Sequence, residues 1–135
     1  MKQTILLVDE DPAVRRMLVR VLEEEDYNVI PAGTAEEAVR LPGAAALDLV
    51  LLDVDVLHQN GADLFERLTA ENPLLPLILL TARPNQPLPS STPRATSVME
   101  KPLDLLKLLR AMDELLAAPE ASRRSQLVAQ AVESH

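Results

Sequence analysis

The sequence has no cysteine and no tryptophan, and its aromatic rings are limited to Tyr27 and Phe65. Without cysteine there are no disulfides and no thiolate chemistry, so nothing here speaks for an oxidising compartment. With 47% hydrophobic residues but so few rings, the core has to be aliphatic. No stretch approaches the roughly 18 uninterrupted apolar residues of a membrane span, and the N-terminus lacks a signal-peptide pattern. The cytoplasm is therefore the expected location, with no membrane partner. Positive charge is also scarce: the formal net charge is -8 and no basic stripe offsets it. That balance argues against direct contact with nucleic acid or an anionic membrane. There are no internal repeats, and 135 residues suffice for one domain with a real core but not for two.

What is present is a succession of short apolar runs separated by helical patterns. The most informative stretch is 47–61, LDLVLLDVDVLHQNG, where an apolar run stops abruptly at Asp53. Leu49, Val50, Leu51 and Leu52 show no alternation, which predicts a strand buried on both faces of a parallel sheet. Asp53 then sits at the carboxyl end of that strand, where loops of open α/β sheets converge. Residues 4–8 form a similar run ending at Asp9, Glu10 and Asp11. Asp11 and Pro12 make a favourable cap and first position for a helix, and Val14, Met17, Leu18, Val21 and Leu22 give it one apolar stripe.

Residues 27–32 are strand-like, and Thr34 with Glu37 forms a capping box for a second helix ending near Leu41, before Pro42 and Gly43. A third helix is predicted over 62–71, with Leu64, Phe65 and Leu68 inward and Asn72-Pro73 as its stop. A strand over 76–80 closes at Thr81. Between 82 and 97, Pro84, Pro87, Pro89 and Pro93 exclude a long regular helix, which predicts a functional or mobile loop. A short strand at 98–100 ends at Lys101-Pro102. Leu105, Leu108, Leu109, Met112, Leu115 and Leu116 mark a last amphipathic helix up to Ala118, and Leu103 and Leu106 widen its stripe into a possible partner surface. From Pro119 onward the chain reads as a tail or linker stub, with a weak helical pattern at Leu127, Val128, Ala131 and Val132. This order predicts an α/β fold: a five-stranded parallel sheet, doubly wound, with helices on both faces. The division expected is 1–118 as the domain and 119–135 as tail.

That topology gathers Asp9, Glu10, Asp53, Thr81 and Lys101 at strand ends on one edge. Three crowded carboxylates repel one another and call for a cation, and hard oxygen ligands with open positions suit Mg²⁺. A carboxylate can attack a phosphoryl group to form an acyl phosphate if charge on the phosphoryl oxygens is neutralised. Mg²⁺, the Lys101 ammonium and the Thr81 hydroxyl can supply this, and small Ala82 leaves its own backbone N–H accessible. Taken singly, each residue also has an ordinary reading: an acid at a strand end, a surface lysine, an exposed loop histidine at His58.

The ordered set ILLVDEDP, LVLLD with Gly61 eight residues on, LILLTA and EKP resembles the receiver domain of two-component response regulators, with a flavodoxin-like (βα)5 fold, over about residues 4–118. The resemblance implies that Asp53 is the phosphoacceptor, Asp9 and Glu10 are the Mg²⁺ acids, Thr81 is the switch hydroxyl and Lys101 contacts the phosphoryl group. The backbone carbonyl of Asp55 would complete the metal site. It also implies a sensor histidine kinase or histidine phosphotransfer protein as donor, and a domain that signals rather than an enzyme with turnover. No DNA-binding module follows residue 118, so output is expected through a downstream protein target. Asp55 and Arg83 flank the expected path of hydrolytic water and would slow dephosphorylation.

Two other readings are open on the residues. One is a receiver-like docking domain that works without phosphorylation. The other is a phosphatase of the haloacid-dehalogenase type, whose acid pair Asp53-Val54-Asp55 imitates. Against the latter, that pair belongs on a first strand and further acids should follow downstream, whereas Asp9 and Glu10 lie upstream. Three departures from the receiver pattern stand out: Val98 where an aromatic is common, Leu57 where proline is frequent, and the proline-rich loop in place of a full fourth helix. They leave the phosphorylation site intact and bear on the usual output face.

Overall fold

Five short strands carry the fold: β1 (Thr4–Val8), β2 (Asn28–Ala32), β3 (Leu49–Asp53), β4 (Leu77–Thr81) and β5 (Ser97–Glu100). In this computed structural model, which describes residues 2–40, 46–56, 59, 62–82 and 97–117, they pair in parallel in the order β2-β1-β3-β4-β5. Between them run α1 (Pro12–Glu24), α2 (Ala35–Val39), the three-residue turn α3 (Val54–Val56), α4 (Ala62–Glu71) and α5 (Leu105–Ala117). No helix among the described residues is long and apolar enough to cross a membrane.

Every residue of β3 and β4 is buried because both faces of the sheet are covered. Alternate strand residues serve opposite cores. Ile5, Leu7, Leu49, Leu51, Ile78 and Leu80 pack against Leu18 and Leu22 of α1 and Leu108 and Met112 of α5. Leu6, Val8, Val50, Leu52 and Leu79 pack with Ala35 and Ala38 of α2 and Leu64 and Leu68 of α4. Both cores are aliphatic apart from Tyr27, as the composition demands; the Phe65 side chain lies outside the described residues.

Local signals set the helix ends. Asp11 accepts a hydrogen bond from Ala13 N at 2.9 Å, with Pro12 in the first turn of α1. Glu37 N donates to Thr34 Oγ1 at 3.1 Å while Glu37 Oε2 accepts from Gly33 N at 3.0 Å, the reciprocal pair expected of a capping box. At the far end of α1, Asp26 adopts φ 70°, Asp26 N donates to Glu23 O at 3.1 Å and Tyr27 N to Leu22 O at 3.0 Å. This is a Schellman exit, closed by apolar contact between positions such as Leu22 and Tyr27.

That exit explains one shifted boundary: Tyr27 belongs to the helix end, so β2 begins at Asn28. Pro76 has no N–H for a ladder, and β4 accordingly begins at Leu77, although Pro76 O still accepts from Val50 N at 3.0 Å. β5 begins at Ser97, one residue early, and α2 stops at Val39, short of the expected Leu41. Turn α3 was not anticipated. Asp53 Oδ1 accepts from Asp55 N at 3.0 Å, which bends the chain directly out of the strand. Leu103 is half-buried against the core shared by α1 and α5, whereas Leu106, the other leucine expected to widen the stripe, is 59% exposed. The expectations for Leu57, His58, Gly61, Arg83, the proline-rich loop and the tail lie outside the described residues.

Candidate functional site

The parallel register brings the anticipated residues to one edge. Val8 stands beside Leu52 and Asp53 beside Leu80, so Asp9, Asp53 and Thr81 end three adjacent strands. All three are buried polar residues, Asp9 completely, Asp53 to 3% exposure and Thr81 to 5%. Lys101 follows β5, and its backbone N donates to Thr81 O at 2.7 Å, carrying the strand pairing one residue further.

Lys101 Nζ lies 2.7 Å from Asp9 Oδ2 and 3.4 Å from Asp53 Oδ2. The ammonium at 2.7 Å is the partner of the buried Asp9 Oδ2. Asp9 Oδ1 accepts from Asp11 N at 3.0 Å. Burial pushes the Asp53 carboxyl up from 3.8 to about 6, and the Asp9 charge adds to this; the Asp55 N–H and Lys101 act in the opposite sense. At neutral pH Asp53 is still ionised in the main, and unusually basic for a carboxylate. For Lys101, burial alone would lower the pKa, but Asp9 and Asp53 more than offset it and raise it above its ordinary value.

One carboxylate oxygen each from Glu10, Asp53 and Asp55 lies within 4.8 Å of the others. Glu10 is exposed, Asp53 buried and Asp55 intermediate, so the trio opens to solvent on one side. Three convergent hard oxygens with an open side fit a small divalent cation that keeps some of its waters. The Asp55 contribution to this group is its side chain, whereas the sequence reading invoked its carbonyl. Asp9 is not among the three; its carboxylate is held by Lys101.

One participant was missed. Arg15 Nη1 donates to the backbone carbonyl of Asp9 at 2.7 Å, across the mouth of the β1–α1 turn. Nothing in the sequence marks Arg15 among the other charged residues of its helix.

The sequence model of the response regulator receiver domain matches residues 5–113, most of the chain. The chain belongs to the response regulator receiver family. Among solved structures, the non-phosphorylated receiver domain of HemR from Leptospira biflexa is 31% identical, with TM-score 0.75, covering 87% of this chain and 97% of that one. The response regulator TrrA of Thermotoga maritima, solved with Mg²⁺ and BeF, is 27% identical with TM-score 0.72, covering 84% and 98%. Among curated relatives, the transcriptional regulatory protein GlrR of Escherichia coli is 32% identical over 124 residues, 89% of this chain and 28% of GlrR. The DNA-binding transcriptional regulator NtrC of Rhizobium meliloti is 31% identical over 119 residues, 87% of this chain and 25% of NtrC. The receiver thus spans only about a quarter of the length of these regulators. Membership in this family also sets aside the phosphatase reading of Asp53-Val54-Asp55.

Proposed function

We propose that this receiver takes a phosphoryl group onto Asp53 from a phosphohistidine of a sensor kinase or phosphotransfer protein, and passes the signal on by protein contact. The carrying observation is the position of Asp53: at the end of a central strand, with Lys101 on one side and Glu10 and Asp55 converging with it on the other. An Asp53 carboxylate oxygen attacks phosphorus in line. The P–N bond breaks, and its electron pair leaves with the imidazole nitrogen of the donor. Asp53 Oδ1 is already engaged by Asp55 N, which leaves Oδ2, on the Lys101 side, as the attacking oxygen. The Lys101 ammonium and the Thr81 hydroxyl then donate to phosphoryl oxygens as negative charge moves onto them. Mg²⁺, held by Glu10, Asp53 and Asp55, would neutralise part of that charge when bound. Asp9 serves by anchoring Lys101 and by adding negative charge beside Asp53.

We assign the receiver to residues 1–118 and treat 119–135 as a tail. With a net charge of -8, these 135 residues themselves pass the signal on by protein contact rather than by touching nucleic acid. The test is intact mass after incubation with Mg²⁺ and a small acyl phosphate. Wild type gains one phosphoryl group; Asp53→Asn gains none, and neither does wild type in excess chelator. A phosphoryl group still acquired by Asp53→Asn at the wild-type rate overturns the assignment, and a docking domain that works unphosphorylated is the reading left if wild type gains none.

A further inference from the structure

Asp9 is held at four points, two of them on its backbone. Its N–H donates to Ala32 O at 3.1 Å, at the end of β2, and its carbonyl accepts from Arg15 Nη1 at 2.7 Å. The Asp9 carbonyl shares a rigid peptide plane with the Glu10 nitrogen. Whatever fixes that carbonyl therefore fixes the direction in which Glu10 leaves the chain, and Glu10 is the exposed member of the trio with Asp53 and Asp55.

A second, independent feature concerns the seat of the guanidinium. Gly33 follows β2, and no glycine described here has a positive φ, so its backbone does not require glycine. A Cβ at Gly33 would stand 2.9 Å from Arg15 Nη1 and 3.3 Å from Cζ. Glycine at this position leaves the space that the guanidinium occupies. The two turns at this corner of the sheet, after β1 and after β2, are thus joined by one arginine.

We propose that Arg15, seated over Gly33, is a positioning residue for the metal end of the site: it orients the Asp9–Glu10 peptide and so sets the affinity for Mg²⁺. The inference rests on the metal reading above. It also has an unusual sign. By Coulomb's law, removing a cation near a carboxylate cluster strengthens the binding of another cation. A loss of Mg²⁺ affinity on removing Arg15 therefore reports geometry.

The experiment is calorimetric titration of the full chain with Mg²⁺ alone, without phosphodonor, well below the unfolding midpoint of each variant. Arg15→Ala should weaken binding about tenfold, the lower end of what loss of a ligand-orienting contact brings. Arg15→Lys, which keeps a donor and the charge, should recover part of that. Gly33→Ala pushes the flexible tip of Arg15 away and should weaken binding in wild type, yet add nothing in the Arg15→Ala background, because both changes act through one contact. Arg16→Ala removes an equal charge from the neighbouring position and should leave affinity unchanged or slightly tighter. Binding by Arg15→Ala as tight as wild type or tighter overturns the inference, as does a full Gly33→Ala effect without Arg15. If the wild type takes up no Mg²⁺, the metal reading and this inference fall together; unchanged affinity in Arg15→Ala alone leaves the metal reading standing.

Discussion

The two ends of the sheet treat buried and half-buried polar groups in opposite ways. At the amino end, among the described residues, such groups are matched one to one. Thr4 N donates to Asp48 Oδ2 at 2.7 Å, Asp48 N returns a bond to Thr4 O at 2.8 Å, and Tyr27 OH donates to Asp113 Oδ1 at 2.9 Å. At the carboxyl end, Asp9 and Asp53 crowd around a single ammonium, and Asp53 is held well above its ordinary pKa. The amino end contributes stability, and the carboxyl end gives some up by holding a buried carboxylate basic, which the proposed phosphoryl transfer to Asp53 would use. Such a division between scaffold and reactive edge is expected where charge must be confined before the ligand arrives.

The sharpest test of this contrast is Asp53→Asn without divalent cations. The folded pKa is raised from 3.8 to about 6, so the folded state binds the proton more tightly than the unfolded one. The contribution of Asp53 is then fully present below about pH 4 and is lost as pH rises through about 6. At pH 7 the ionised carboxylate is a net cost of at most about 3 kcal/mol, the attraction of Lys101 being already contained in the raised pKa. We expect the Asn variant to be about 2 kcal/mol more stable than wild type at pH 7, with the gain vanishing towards pH 4. Urea midpoints at the two pH values check this, and a less stable Asn variant at pH 7 would erase the contrast.

At the other end the sign reverses. Asp48→Ala leaves the Thr4 N–H without its charged acceptor and should lower stability by about 1.5 kcal/mol at pH 7. A midpoint equal to wild type would show that water replaces the carboxylate at no cost, and that the amino end is less tightly matched than its distances imply.

The smallest effect is expected at Tyr27. Burial, then the bond to Asp113, pushes its hydroxyl up to about 12. With the folded pKa above the unfolded one, this contribution is complete below about pH 10 and is lost as pH rises through about 12. Tyr27→Phe should be about 1 kcal/mol less stable at pH 7 and should lack that alkaline decline. A variant with the same decline would move the alkaline titration to another group.

Helix α1 shows what kind of information each level carries. Its start was legible, because Asp11 and Pro12 act on the turn they begin. The strand that follows it was begun one residue early, because Tyr27 resembles the start of a strand until its N–H is seen to return to Leu22 O. Turn α3 was hidden for a related reason: the end of the strand at Asp53 is legible, but only the bond from Asp55 N to Asp53 Oδ1 shows that the chain bends at once into a helical turn. Leu103 and Leu106 were indistinguishable as leucines, and only the packing half-buried one and left the other exposed.

By itself, the sequence determined the alternation of buried strands and capped helices, and with it the parallel sheet and the edge at which Asp9, Glu10, Asp53, Thr81 and Lys101 meet. Those features follow from periodicity and caps, whose physical range is a few residues. Tertiary structure alone decided which oxygens converge. It placed Lys101 against Asp9 and Asp53, Asp48 under Thr4, Tyr27 on Asp113, and Arg15 on the Asp9 carbonyl in the space left by Gly33. Each of these contacts joins groups from different turns or strands, or depends on where a long side chain finds room. Their distances are set by register and helix docking, which no local pattern of residues encodes.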